Sequence, residues 1–242
     1  NRIYKALKQY YTMKVKYLFV ALLVLLNFVS YFYEGYLLKA SILFNTFYAV
    51  TLLVSAFILC RLELKPLVIF SLSAVLLGFC AEYLNTKASN WTYFGSAQPP
   101  LFVAVGWVSL LAVVFYGAGL LKKFGDWKIH PVLVPLLCFG FFFLFSFMER
   151  NITVLTIGLY LIMAVLGTYS AISGTFSWNA ALLVVAAIIG SLSEALGASC
   201  VLWSFRSGQL LPLPMVLWWS VNAFCLSGIM KLLKLSPEKL FG

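Results

Sequence analysis

Eight apolar runs, at about 17–33, 41–60, 66–83, 101–121, 131–148, 153–171, 179–198 and 212–233, follow one another with only short polar connections between them. A membrane-crossing helix needs about 20 apolar residues, and each run is long enough to cross, or nearly cross, the hydrocarbon core when allowed to tilt. In a chain of 242 residues these runs leave no room for a sizeable soluble domain. With 63% hydrophobic and only 10% charged residues, and a mean hydropathy of +1.00, the chain cannot present a polar surface to water. The expected fold class is an all-α polytopic membrane protein of about eight transmembrane helices.

Orientation follows from Lys and Arg alone. Arg2, Lys5, Lys8, Lys14, Lys16, Arg61, Lys65, Lys122, Lys123, Lys128, Lys231, Lys234 and Lys239 fall on the amino-terminal side of the membrane, against Lys39, Lys87, Arg150 and Arg206 opposite. Both termini are therefore expected in the cytoplasm, in an integral protein of the plasma membrane. Topology and attraction to anionic headgroups account for the net charge of +10. No nucleic-acid partner is expected, because a basic leader this short beside a membrane serves orientation. The five cysteines (Cys60, Cys80, Cys138, Cys200, Cys225) lie in apolar runs without CxxC spacing, and His130 is the single histidine. These ligands cannot build a histidine-rich diiron centre, so no metal and no cofactor are expected.

The sequence is self-similar at an offset of 112 residues. That shift places Glu82 on Glu194, Trp91 on Trp203, Pro100 on Pro212 and Trp107 on Trp219, with Gly78 on Gly190 and the "LLK" of 120–122 on that of 232–234. Apolar matches are cheap in such a chain, whereas a rare acid, two Trp and a Pro at one offset are not. The expected organisation is a basic leader (1–16), a first four-helix repeat (17–122), a linker (123–130), a second four-helix repeat (131–234) and a tail (235–242). Four helices per copy is an even number, so the copies run parallel and both Glu–Trp stretches face the non-cytoplasmic side.

Glu82 lies sixteen residues past Pro66, and Glu194 sixteen past Trp178. That is about 24 Å of helix, which puts both carboxyls in the outer third of the bilayer. An intramembrane acid normally faces the bundle interior and is by default a candidate functional group able to hold a proton. Each Glu is followed by aromatics, "NWTYF" with Trp91 and Tyr93 and "LWSFR" with Trp203 and Phe205, and then by a loop. These rings could form an interfacial belt or wall a pocket around the acid. A proton donor among π faces is what acid chemistry on alkenes requires, because aromatic faces stabilise the carbocation and exclude water.

In this pattern the chain resembles the integral-membrane carotenoid-biosynthesis proteins that include bisanhydrobacterioruberin hydratase-like enzymes and, more remotely, heterodimer-type lycopene cyclases. The resemblance rests on Glu82, Trp91, Tyr93, Pro100 and Trp107, and on Glu194, Trp203, Phe205, Pro212, Pro214 and Trp219. The Pro-Phe-Gly and Pro-x-Glu-Glu elements of the cyclases have no counterpart here. The resemblance implies cofactor-free protonation of an isoprenoid double bond followed by cyclisation or water capture. One of Glu82 and Glu194 would be the general acid and the other a base, with Trp91, Tyr93, Trp107, Trp203, Phe205, Trp219 and Arg206 around the substrate. The second copy carries Arg206 where the first has Phe94, an asymmetry that could separate the two roles.

Two further polar features stand outside this pattern: Glu149, in a Glu-Arg-Asn turn that reads equally as a capped connection, and Asn222 within the last run. A different class also fits two membrane acids, namely a proton- or cation-coupled transporter or a lipid-binding protein. In either class the partner is a membrane lipid or an isoprenoid small molecule.

Overall fold

The computed structural model describes residues 2–33, 42–94, 99–125, 130, 132–148 and 154–242. Its helices are α1 (Arg2–Tyr33), α2 (Ile42–Leu59), α3 (Leu64–Lys87), α4 (Leu101–Lys123), α5 (Leu133–Met148), α6 (Val154–Ile172), α7 (Phe176–Ser199), α8 (Leu213–Leu232) and the short α9 (Pro237–Phe241). Two three-residue strands, β1 (Trp91–Tyr93) and β2 (Trp203–Phe205), complete the described elements. The protein is thus nearly all-α. Among the described residues six helices are long and apolar enough to cross a membrane, and they carry the pattern of an integral membrane protein. The runs expected at 131–148 and 153–171 coincide with α5 and α6; α5 has 16 residues, and the described apolar stretch of α6, Ile157–Ile172, is also shorter than a full span.

α1 runs without a break from Arg2 through the expected leader into the first apolar run. The reason is local: residues 2–33 contain neither Gly nor Pro, and Lys, Leu, Ala, Met and Gln are good helix formers. Large side chains on the outer faces of the bundle, such as Leu22, Leu53, Leu76, Val165 and Ile188, are exposed apolar groups suited to lipid. The interior is formed around α4 and α8, the most buried helices. α2 and α3 lie against α4, α6 and α7 lie against α8, and α4 with α7 and α3 with α8 join the two groups.

α3 and α7 end in the same way. Ser89 N–H donates to Thr86 O and Asn90 N–H to Asn85 O, while Val201 N–H donates to Ala198 O and Leu202 N–H to Gly197 O. This is the Schellman closure, which needs one left-handed residue; Ser89 and Val201 fill it, each with φ +58°. The closure turns the chain back across the helix end and delivers it directly into β1 or β2.

The strands pair antiparallel in the register Trp91↔Phe205, Thr92↔Ser204 and Tyr93↔Trp203. Arg206 N–H donates to Asn90 O and Phe94 N–H to Leu202 O at the two ends of the ladder. Strand side chains alternate between faces, so Trp91, Tyr93, Trp203 and Phe205 point into the bundle while Thr92 and Ser204 are exposed. The sequence pattern gives these aromatic stretches no secondary structure of their own. After the strands, α4 starts at Pro100 and α8 at Pro212, both in extended conformation at the N-cap. Proline suits a helix start, where its missing N–H would be unpaired in any case.

The opposite end of the bundle is closed by α9. Phe241 packs between Phe70 and Phe115, with ring centroids 5.3 and 5.5 Å away. Glu238 accepts hydrogen bonds from Thr175 N (3.2 Å) and Thr175 Oγ1 (3.1 Å) at the start of α7 and pairs with Lys122 and Lys231.

Candidate active site

Glu82 sits on the last turns of α3 with 3% of its surface exposed. A buried carboxylate is costly unless donors surround it, and three do. Trp91 Nε1 (2.9 Å) and Tyr93 OH (2.7 Å), both from β1, donate to its Oε2, and Trp107 Nε1 of α4 donates to its Oε1 at 3.1 Å. Strand β1 therefore supplies two of the three partners, which is why its alternation matters to the site.

Glu194, on the equivalent turn of α7, accepts one hydrogen bond, from Trp219 Nε1 to Oε1 at 3.0 Å. Trp203 Nε1 is buried without a hydrogen-bond partner. Phe205 stands where Tyr93 stands in the first stretch, so no hydroxyl is offered there. The two shells consequently differ, with three donors on Glu82 and one on Glu194.

A glycine explains part of this difference. At an offset of 112, Asn85 corresponds to Gly197. A Cβ at Gly197 would collide with the far edge of the Trp203 ring, so that indole lies over the bare helix backbone. In the first stretch Asn85 fills the same space, donating to Ala81 O and accepting from Asn90 Nδ2. Trp91 cannot lie there, and its N–H reaches Glu82 instead.

Trp107 and Trp219 stack on each other between the two acids, with centroids 4.6 Å apart and planes inclined by 28°. Each indole is pressed onto a helix at a glycine. A Cβ added to Gly78 would lie 2.5 Å from Trp107 Cγ, and one at Gly190 would collide with Trp219 Cγ. Gly78 and Gly190 thus let the stacked pair approach α3 and α7 closely enough for each N–H to reach its carboxyl.

Glu82 and Glu194 line the same cleft, of about 80 Å³, and lie close enough for their charges to interact. Tyr93, Trp107, Trp203 and Trp219 line it together with Phe44, Tyr48 and Thr51 of α2 and Gly106 of α4. The cleft lies on the α2 side because nothing stands within 4 Å of a Cβ at Gly106. The residue 112 positions later is Trp218, which is fully buried against Trp91 and Phe141, centroids 6.0 and 5.8 Å away. One side is thus open and the other filled.

Of the other residues expected to bind substrate, Trp91 and Phe205 pack edge to face and line a second cavity on the far side of Trp91, which also includes Arg206. Asn222 is buried on α8, donates to Trp218 O and does not line the cleft. Glu149 lies outside the described residues. Sequence reasoning missed Phe44, Tyr48 and Thr51, since aromatic and small polar residues in an apolar helix carry no distinguishing pattern. It also passed over Gly106 and Gly197, which comparison at the same offset would have marked.

No family model matches the chain, and neither a curated protein nor a solved structure matches it significantly.

Proposed function

We propose that this protein is a membrane enzyme that protonates an isoprenoid or carotenoid double bond, with Glu194 as general acid and Glu82 as the accompanying base. The observation that carries the reading is that both acids face one small aromatic cleft. Three donors suit Glu82 to act as a carboxylate, whereas Glu194 keeps an oxygen free to carry the proton. Proton transfer breaks the Glu194 O–H bond, forms a C–H bond and leaves a tertiary carbocation facing Trp107, Trp219, Tyr93 and Trp203. For cyclisation a second double bond of the substrate attacks the cation, forming the ring C–C bond and moving the positive charge, and Glu82 takes a proton from the carbon beside it. For hydration water adds to the cation and Glu82 takes its proton; passage of that proton back to Glu194 restores both groups. A volume of about 80 Å³ admits one end of a polyene, while the remaining chain lies along the apolar outer surface.

The proposed scaffold is two parallel four-helix halves, 17–122 and 131–234, giving eight spans with both termini in the cytoplasm. Its support is the correspondence at 112 residues of the bounds of α2 and α3 with those of α6 and α7, of left-handed residues, of strand pairs and of indole–carboxyl bonds. The pair Trp91↔Phe205 becomes Trp203↔Tyr93 when the halves are exchanged. Thr92↔Ser204 and the stacked Trp107–Trp219 pair each exchange with themselves, which sets them on a two-fold axis. The Lys and Arg bias supports the orientation, and the shared Glu–aromatic–Pro–Trp pattern supports relationship to the carotenoid-biosynthesis proteins.

The test is Glu82→Gln and Glu194→Gln in membranes supplied with acyclic C30 to C50 isoprenoids. Each variant is expected to lose product formation while keeping the parent's folded spectrum. Full conversion by both variants refutes the acid mechanism. Proton-coupled uptake without conversion by the parent protein would favour a transporter.

A further inference from the structure

We infer that the groove between the first turns of α1 and the start of α3 is a phospholipid site, which takes a headgroup carrying both a phosphate and a primary ammonium. The groove holds about 1050 Å³. Gln9, Lys16, Glu63 and Lys65 supply its polar part, and Val68 and Ile69 its apolar part. It lies at the bundle end opposite the strand pair, since Tyr31 at the other end of α1 packs against Phe102 at the start of α4, with ring centroids 5.2 Å apart.

The depth is that of a headgroup. The first and third apolar runs begin at about residues 17 and 66, so the groove straddles the boundary at which α1 and α3 leave the apolar layer. Gln9 to Lys16 is about 10 Å of helix, comparable with the headgroup layer of about 5–8 Å on each side of the hydrocarbon core. A headgroup can therefore lie among the charges while its first methylenes cover Val68 and Ile69.

Charge selects the headgroup. Glu63 is the N-cap residue of α3, but its carboxyl makes no capping bond. The ion pairs among the described residues join Glu238 to Lys122 and Lys231, and they take up none of Lys16, Lys65 and Glu63. A phosphate alone would meet Glu63 as a like charge, whereas a headgroup that adds an ammonium matches all three groups. The other half of the chain carries an anion at the corresponding place. At an offset of 112, Glu63 corresponds to Thr175 at the start of α7. There the Glu238 carboxylate of α9 accepts from Thr175 N and Oγ1 and lies 3.7 Å from both Lys122 and Lys231. α9 brings no such group to the start of α3, where two lysines line an open groove instead.

The site is independent of the alkene chemistry and is tested by binding alone. Purified protein in dodecyl maltoside is titrated with dioleoyl phosphatidylethanolamine or dioleoyl phosphatidylglycerol, and bound lipid is counted by native mass spectrometry. The parent is expected to bind the ethanolamine lipid saturably and more tightly than the glycerol lipid. Lys16→Gln combined with Lys65→Gln is expected to weaken the ethanolamine lipid about fivefold or more, while Lys123→Gln, at the same end of the bundle, binds like the parent. Glu63→Gln is expected to reverse the preference in favour of the glycerol lipid. Lysines that only orient the chain would favour the more anionic lipid from the outset. Tighter binding of the glycerol lipid by the parent, parent-like binding by the double lysine variant, or an unchanged preference in Glu63→Gln overturns the proposal.

Discussion

Gly78→Ala and Gly106→Ala are the same chemical change in the interiors of two neighbouring helices, and the structure predicts opposite signs for them. Replacing an interior helical glycine by alanine gains about 0.5–1 kcal/mol through backbone entropy. At Gly106 nothing lies within 4 Å of the new methyl group, so the gain is kept. At Gly78 the methyl would lie 2.5 Å from Trp107 Cγ and 2.8 Å from Cβ and Cδ2, against about 3.5–4.0 Å for carbon atoms in contact. Trp107 has to retreat by about an ångström, and Trp219 stacks against its other face at 4.6 Å. Overpacking of this kind costs about 1–3 kcal/mol. Retreat also lengthens the 3.1 Å bond from Trp107 Nε1 to Glu82, and a hydrogen bond to a carboxylate is worth about 1.5–3 kcal/mol. The net loss for Gly78→Ala is about 1.5–5.5 kcal/mol after the helical gain is subtracted. Reversible unfolding in mixed micelles measures both variants, and near-UV circular dichroism reports the coupled indoles. Gly78→Ala as stable as Gly106→Ala, with an unchanged indole signal, would refute the packing argument.

Gly106→Leu extends the second substitution into the cleft, and is expected to leave the fold as stable as the parent while isoprenoid conversion falls about tenfold or more, measured by product chromatography. Tyr93→Phe keeps the ring against Trp203 (5.6 Å) and removes one donor from Glu82; unfolding should show a loss of about 1.5–3 kcal/mol, and Trp91→Phe a similar one. Thr92→Cys with Ser204→Cys places two thiols at directly opposed, exposed strand positions. Such a pair has Cα atoms about 5.5 Å apart, within disulfide range, so mild oxidation should link the two strands in peptide mass spectra, whereas Thr92→Cys with Gln209→Cys should not link.

Much of the fold is legible from the apolar runs, because in lipid a helix must be long and apolar before it is anything else. Glu82, Glu194, Trp91, Trp107, Trp203 and Trp219 are legible because acids and indoles are scarce and recur at one offset. The strand pair is not. "WTY" and "WSF" alternate correctly, but three residues carry too little period-two signal to distinguish a strand from a turn. The sequence pairs the two acids in one aromatic-walled site, but it does not show on which side that site opens, since that depends on Gly106 leaving space where Trp218 fills it. The different shells of Glu82 and Glu194 follow from Asn85 against Gly197 and Tyr93 against Phe205. These exchanges acquire meaning only when both copies are seen in space.

The central claim is proton delivery from a carboxyl of the cleft to a substrate carbon, and conversion in D2O tests it most directly. A proton on Glu194 exchanges with solvent, so product analysed by mass spectrometry and NMR should carry one deuterium at the carbon that was protonated. Product formed in D2O with no deuterium at carbon would contradict the account.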